Sequence, residues 1–149
     1  MYSHILIPTD GSELAQKGVD HGLSLAKMHG SKVTILNVSD PFPPYSLGGE
    51  FGVVTPVTDF EGYRRSVSEH ATRVLNKVKT EAAKMAISAE TVFIEEMRPA
   101  EAIVDVANKR NCALIVMASH GRGGLGRLFL GSQTIEVLTH SSIPVLVVR

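Results

Sequence analysis

The sequence predicts an α/β protein with a doubly wound parallel sheet. Three observations lead there. Five short segments rich in branched aliphatics are spread along the 149 residues. Between them lie stretches whose apolar residues recur at steps of three and four, the spacing of a helix face. The two kinds alternate as β-α-β-loop-α-β-α-β-loop-α-β, which implies right-handed crossovers, parallel strands and helices on both faces.

The strand segments are Ile5-Leu6-Ile7, Val33–Val38, Thr91–Ile94, Ala113–Met117 and Pro144–Val148. The fourth and fifth carry no alternating polar residues, as expected of strands covered on both faces. The first helix is expected on Ala15, Val19, Gly22 and Ala26, with Gly18 and Gly22 allowing a close approach to whatever it covers. A longer helix runs from Asp59 to Ala86, with Val67, Ala71, Val74, Leu75, Val78 and Ala82 on one side. Pro99 opens a third, at a position where its missing N–H costs nothing, and Ser132–His140 forms a short fourth. Residues 40–58 hold four of the seven prolines and are expected to be an irregular loop within one domain spanning 1–149.

Composition excludes several classes. Hydrophobic residues make up 44% of the chain and charged residues 20%, which is globular and neither disordered nor fibrous. Fifteen Lys and Arg balance fifteen Asp and Glu, so no global field draws the chain to nucleic acid or an anionic membrane. One cysteine, Cys112, allows no internal disulfide and no multi-thiolate metal site. The N-terminus lacks the basic and apolar pattern of a signal peptide, and no apolar run approaches a membrane span. A soluble, cytoplasmic protein is the expectation.

Two glycine patterns need separating from the one that matters. Gly121-Arg122-Gly123-Gly124-Leu125-Gly126 spells G-x-G-x-x-G, but in the last crossover and with no acidic residue some 20 positions on, so it is no dinucleotide fingerprint. Nor is it a P-loop, because Arg127-Leu128 stands where Lys-Ser/Thr is required. The informative stretch is longer. A strand ends at Met117-Ala118, a loop begins at Ser119-His120-Gly121, and Gly131-Ser132 starts a helix with Gln133-Thr134. Free N–H groups and a partial positive charge at a helix start hold anions, and glycine lets the main chain reach phosphate oxygens. The alternative is that Ser132 is an N-cap and the glycines only make turns.

At the end of the first strand, Asp10 with Glu13 has the spacing of a capping box. In open α/β sheets, ligands collect beyond the carboxyl ends of strands where the winding reverses. With strands one and four adjacent, Asp10 would face the glycine loop, and beside a polyphosphate it would need a ribose hydroxyl or Mg²⁺ as partner.

Together these residues resemble the universal stress protein family, UspA-like and of the nucleotide-binding kind, over essentially the whole chain. Ile5–Ser12 is similar to the family's first strand and turn. Met117–Arg122 with Leu130-Gly131-Ser132 is similar to its G-x2-G-x9-G-[S/T] loop, with Ala118 at the first glycine. Ile143–Val148 is similar to its last strand. The resemblance implies a Rossmann-like sheet of order 3-2-1-4-5, related to the adenine-nucleotide alpha hydrolases, and ATP or AMP as ligand, with Mg²⁺ able to accompany the phosphates. It also implies homodimers paired through Pro144–Val148. By position, Pro8, Thr9 and Asp10 would lie at adenosine and the Val38 backbone at the adenine edge. Met117, Ala118 and Ser119 lead into the loop. His120, Gly121 and Arg122 would line the phosphates, with Gly131, Ser132, Gln133 and Thr134 at the far end.

Other residues read as structural. The six histidines show no ligand spacing, Cys112 reads as a small buried hydrophobe, and the charged helix from Asp59 to Ala86 as a solvated face. The functional expectation is a nucleotide-dependent regulatory dimer of the stress response with an unidentified protein partner, hydrolysis being slow or absent. The alternatives are a slow ATPase or nucleotidyl-transfer enzyme at the same site, and a nucleotide-free interaction dimer.

Overall fold

A computed structural model describes residues 1–41, 45–47, 54–56, 59–119 and 130–149. The elements run β1 (His4–Pro8), α1 (Glu13–His29), β2 (Lys32–Val38), β3 (Tyr45–Leu47), β4 (Val54–Pro56), α2 (Phe60–Lys84), β5 (Ala89–Ile94), α3 (Pro99–Lys109), β6 (Leu114–Ala118), α4 (Ser132–His140) and β7 (Val145–Val148). The main sheet has the order β5-β2-β1-β6-β7, parallel throughout. Counting its strands alone, that is 3-2-1-4-5, as the resemblance implied.

Successive residues of a strand point to opposite faces, and here each face has its own core. Ile5, Ile7, Val33, Ile35 and Val116 pack with Val19 and Leu23 of α1 and Leu75 and Val78 of α2. Leu6, Leu36, Ile115 and Met117 pack with Ile103 and Val106 of α3 and Val137 of α4. All five residues of β6 are buried, so its unbroken apolar run is explained by cover on both sides. The similar run in β7 has another reason. It is an edge strand, only Val148 is buried, and Leu146 is 38% exposed.

The small residues of α1 work as expected. A Cβ added to Gly18 would stand 2.9 Å from the Ala118 nitrogen, so only glycine lets the helix lie this close to the end of β6. One added to Gly22 would meet the Ile7 side chain at 2.5 Å.

One helix start differs from the sequence reading. Asp10 does not cap α1: Gly11, at φ +78°, turns the chain first, and the N-cap is Ser12, whose hydroxyl accepts from the Ala15 N–H at 3.1 Å. Asp10 Oδ1 instead accepts from the Ser12 N–H at 2.9 Å, closing a side-chain turn. α4 starts where the sequence reads it: Gly131, in extended geometry, caps it without a side-chain bond, and Ser132 is its first helical residue and not its N-cap. Within the stretch expected to be irregular, 40–58, the short strands β3 and β4 pair antiparallel, Leu47 opposite Val54, and 42–44, 48–53 and 57–58 lie outside the described residues. Strands of three residues are too short for periodicity to reveal.

His4 joins three elements. Its Nδ1–H donates to the Arg110 carbonyl at 3.2 Å, and the Thr34 hydroxyl lies 2.8 Å from Nε2. Burial holds its pKa below the ordinary 6.5, against the pull of the Arg110 carbonyl and Glu90. The neutral ring, accepting from Thr34, fits both neighbours.

Candidate functional site

From β1 the sheet extends through β2 and β5 on one side and through β6 and β7 on the other. Crossovers therefore leave β1 and β6 in opposite directions, and a crevice opens above their carboxyl ends. Its volume is about 870 Å³, within the range of small-molecule sites.

The floor is made by the strand ends. The β1–β2 ladder closes with the Thr9 N–H donating to the Leu36 carbonyl at 2.8 Å. The next carbonyl, that of Thr9, accepts instead from the Asn37 side-chain amide at 2.8 Å. In a parallel ladder, residues two apart point their main-chain groups to the same neighbour. Val38 thus aims its N–H and C=O past Leu36, toward the side from which β1 has turned away. On its other side β2 stays paired, with the Ser39 N–H donating to the Ile94 carbonyl at 2.9 Å.

The α4 side is fastened to the end of β6. Gly131 N–H donates to the Ser119 carbonyl at 2.9 Å, and the Thr134 hydroxyl to the same oxygen at 3.0 Å. These bonds fix both ends of the 119–131 segment relative to each other. α4 begins there with no side-chain cap among the described residues, so its first N–H groups face the crevice with the partial positive charge of a helix start.

Of the residues singled out in the sequence, Pro8, Thr9, Asp10, Val38, Met117, Ala118, Gly131, Ser132, Gln133 and Thr134 line this one cavity. Ser119 does not; it is buried, and its carbonyl serves the tie just described. His120, Gly121 and Arg122 lie outside the described residues. Gln133 also has a structural task, since its Oε1 accepts from the Ala100 N–H at 2.9 Å and caps α3, whose own N-cap, Arg98, provides no side-chain bond. Ala118, at the first glycine of the family pattern, sits in ordinary strand geometry and is absent from the positive-φ residues, so its methyl group brings no backbone strain.

Sequence reasoning missed one wall. Tyr63, Ser66, His70 and Arg73 of α2 line the crevice, with Val67 of the apolar side beside them, yet in the sequence the four read as part of a solvated helix face. The missing signal was tertiary: α2 rests on the β1–α1 turn, where His70 Nε2–H donates to the Asp10 carbonyl at 3.3 Å. A Cβ at Gly11 would meet Val74 at 2.5 Å. Among the described residues no cluster of three metal-ligating side chains occurs, and no helix is long and apolar enough to cross a membrane.

The chain is 35% identical over 150 residues to a universal stress protein of Thermus aquaticus, with all of both chains covered. The solved UspA of Lactobacillus plantarum superposes with a TM-score of 0.82 at 26% identity, covering 99% of this chain and 98% of that one. Two further universal stress proteins share the fold at 23% and 18% identity, with TM-scores of 0.68 and 0.69. They were solved in complex with cAMP and, from Archaeoglobus fulgidus, with dAMP. Residues 1–149 match the universal stress protein family from end to end, so the likeness in fold and in sequence has one source: the chain belongs to that family.

Proposed function

We propose that the crevice binds an adenine nucleotide, AMP or ATP, and that the protein is a cytoplasmic, homodimeric regulator of the stress response whose partner contacts change with occupancy. The observation that carries this reading is the meeting in one cavity of a vacated strand edge at Val38 and an uncapped helix start at Gly131–Thr134, with Asp10 between them in sheet order. Neighbouring strands lie about 4.8 Å apart, so the ends of β2 and β6 stand about 10 Å apart, within reach of one nucleoside monophosphate. The Val38 N–H and C=O match the N1 acceptor and N6 donor of adenine. The Asp10 carboxylate accepts from ribose hydroxyls, and the N–H groups of α4 donate to phosphate. With ATP, Mg²⁺ is expected to enter with the phosphates. That two universal stress proteins of the same fold were solved with cAMP and dAMP agrees with an adenine ligand.

Regulation suits this crevice better than turnover. Among the described residues no lysine lines it, and its imidazole, His70, is engaged by the Asp10 carbonyl. The homodimer is expected along β7, where Leu146 at 38%, Leu138 at 42% and Ile135 at 50% exposure leave an apolar edge that a second copy would cover.

Native mass spectrometry of freshly purified protein, followed by denaturation and identification of released small molecules, tests the reading. A dimer carrying up to one adenine nucleotide per chain supports it. Protein that arrives empty and ignores added AMP and ATP with Mg²⁺ in calorimetry refutes it. Multiple turnover of ATP that vanishes in Asp10→Ala, while ATP still binds, would favour the enzyme.

A further inference from the structure

We infer that the α2 wall of the crevice is a second anion-reading surface, selecting adenine nucleotides that carry a phosphate on the ribose 3′ oxygen. This rests on the adenine-nucleotide reading and adds a ligand class to it. Ser66, His70 and Arg73 fall at i, i+4 and i+7, one straight stripe on a helix, and all three line the cavity. The core stripe of the same helix is Ala71, Val74, Leu75, Val78 and Ala82. A hydroxyl, an imidazole and a guanidinium therefore face the space where no apolar packing requires them.

The stripe has a fixed position relative to the ribose. His70 Nε2–H donates to the Asp10 carbonyl, and the Gly11 turn leaves no room for a side chain beside Val74. Asp10 heads the strand between α2 and α4, with α2 touching its carbonyl, so a ribose whose 2′ hydroxyl meets the Asp10 carboxylate and whose 5′ phosphate lies at α4 leaves its 3′ oxygen for the α2 side. A 3′ phosphate would leave the ribose toward Ser66 and Arg73. Among the described residues Arg73 pairs with Glu69, at a long 4.0 Å and with both side chains more than 60% exposed, and a phosphate dianion competes well against it. His70 acts here as a positioning residue that keeps α2 on the turn.

Calorimetry with 5′-AMP and with adenosine 3′,5′-bisphosphate tests this on the full chain and on Arg73→Gln. Wild-type protein is expected to bind the bisphosphate about fivefold more tightly than 5′-AMP, a modest gain because the guanidinium is exposed. In Arg73→Gln that gain should vanish while 5′-AMP affinity stays within about twofold, and Ser66→Ala should lose part of it. An equal preference in Arg73→Gln, or none in wild type, overturns the inference and leaves the adenine site intact. Failure of 5′-AMP, ATP and the bisphosphate alike overturns both.

Discussion

Gly18→Ala tests whether the close contact of α1 with β6 is needed by the fold and by the crevice together. The added methyl would lie 2.9 Å from the Ala118 nitrogen and 3.2 Å from the Met117 carbonyl carbon. Both are backbone atoms of a strand buried on both faces. Ordinary carbon contacts begin at about 3.5 Å, so helix and strand must part by roughly half an ångström. Overpacking of this kind costs about 1–3 kcal/mol, and the better helix propensity of alanine returns up to about 1 kcal/mol. The expected net loss is about 1–2 kcal/mol, seen as a lower urea midpoint at unchanged m, or a Tm lower by roughly 3–6 °C. Because Ala118 belongs to the crevice floor, affinity for AMP should fall as well. Gly22→Ala is the control: its methyl meets the far end of the Ile7 side chain, 2.5 Å from Cδ1, and not the strand backbone, so it should cost stability with little effect on AMP. A Gly18→Ala protein as stable as wild type, or one that is less stable but binds AMP normally, refutes the reasoning.

Four further outcomes are expected. Ala86 holds φ +59° just past α2, with the Ile87 N–H closing onto the Ala82 carbonyl, so Ala86→Gly should stabilise by about 0.5 kcal/mol in urea unfolding. Gln133→Ala uncaps α3 and should cost about 1 kcal/mol, checked by the same method. Burial lowers the His4 pKa below 6.5, so its contribution to stability is complete above that pH and is lost as acid protonates the ring, first in the unfolded chain. Unfolding free energy should therefore fall less steeply between pH 7 and pH 5 in His4→Gln than in wild type. Cys112 is buried and its thiol pushed up to about 11, so a thiol reagent at pH 8 should label it only as fast as the protein unfolds.

The sheet was legible because strand and helix periodicities report burial locally. α4 was read as Ser132–His140 and found so, and α3 was read from its N1 proline. The errors fall where a local pattern has more than one solution. Asp10 and Glu13 have the spacing of a capping box, but Gly11 at positive φ moves the helix start two residues along, to Ser12. Apolar runs look alike in β6 and β7, since a central strand and an edge strand with one open side both lack alternation. β3 and β4 are below the length at which a period exists.

The crevice divides in the same way, and the division has a physical cause. Residues contributed by strand ends and by the start of α4 were found because the chain must stop, turn and expose backbone there, and Pro, Asp, Gly and Ser signal such places. The wall from α2 carries no local signal: Ser66, His70 and Arg73 are unremarkable on a charged helix. Whether a polar stripe meets bulk water or a ligand cavity depends on what the opposite stripe is pressed against. Here Val74 sits over the Gly11 turn, where no side chain fits, and with the His70 bond to the Asp10 carbonyl this holds the polar face over the mouth of β1. A side chain at position 11 would tilt α2 away and turn the same residues back into solvated surface. In calorimetry, Gly11→Ala should therefore lose more affinity for adenosine 3′,5′-bisphosphate than for 5′-AMP, although residue 11 itself is not among those lining the cavity.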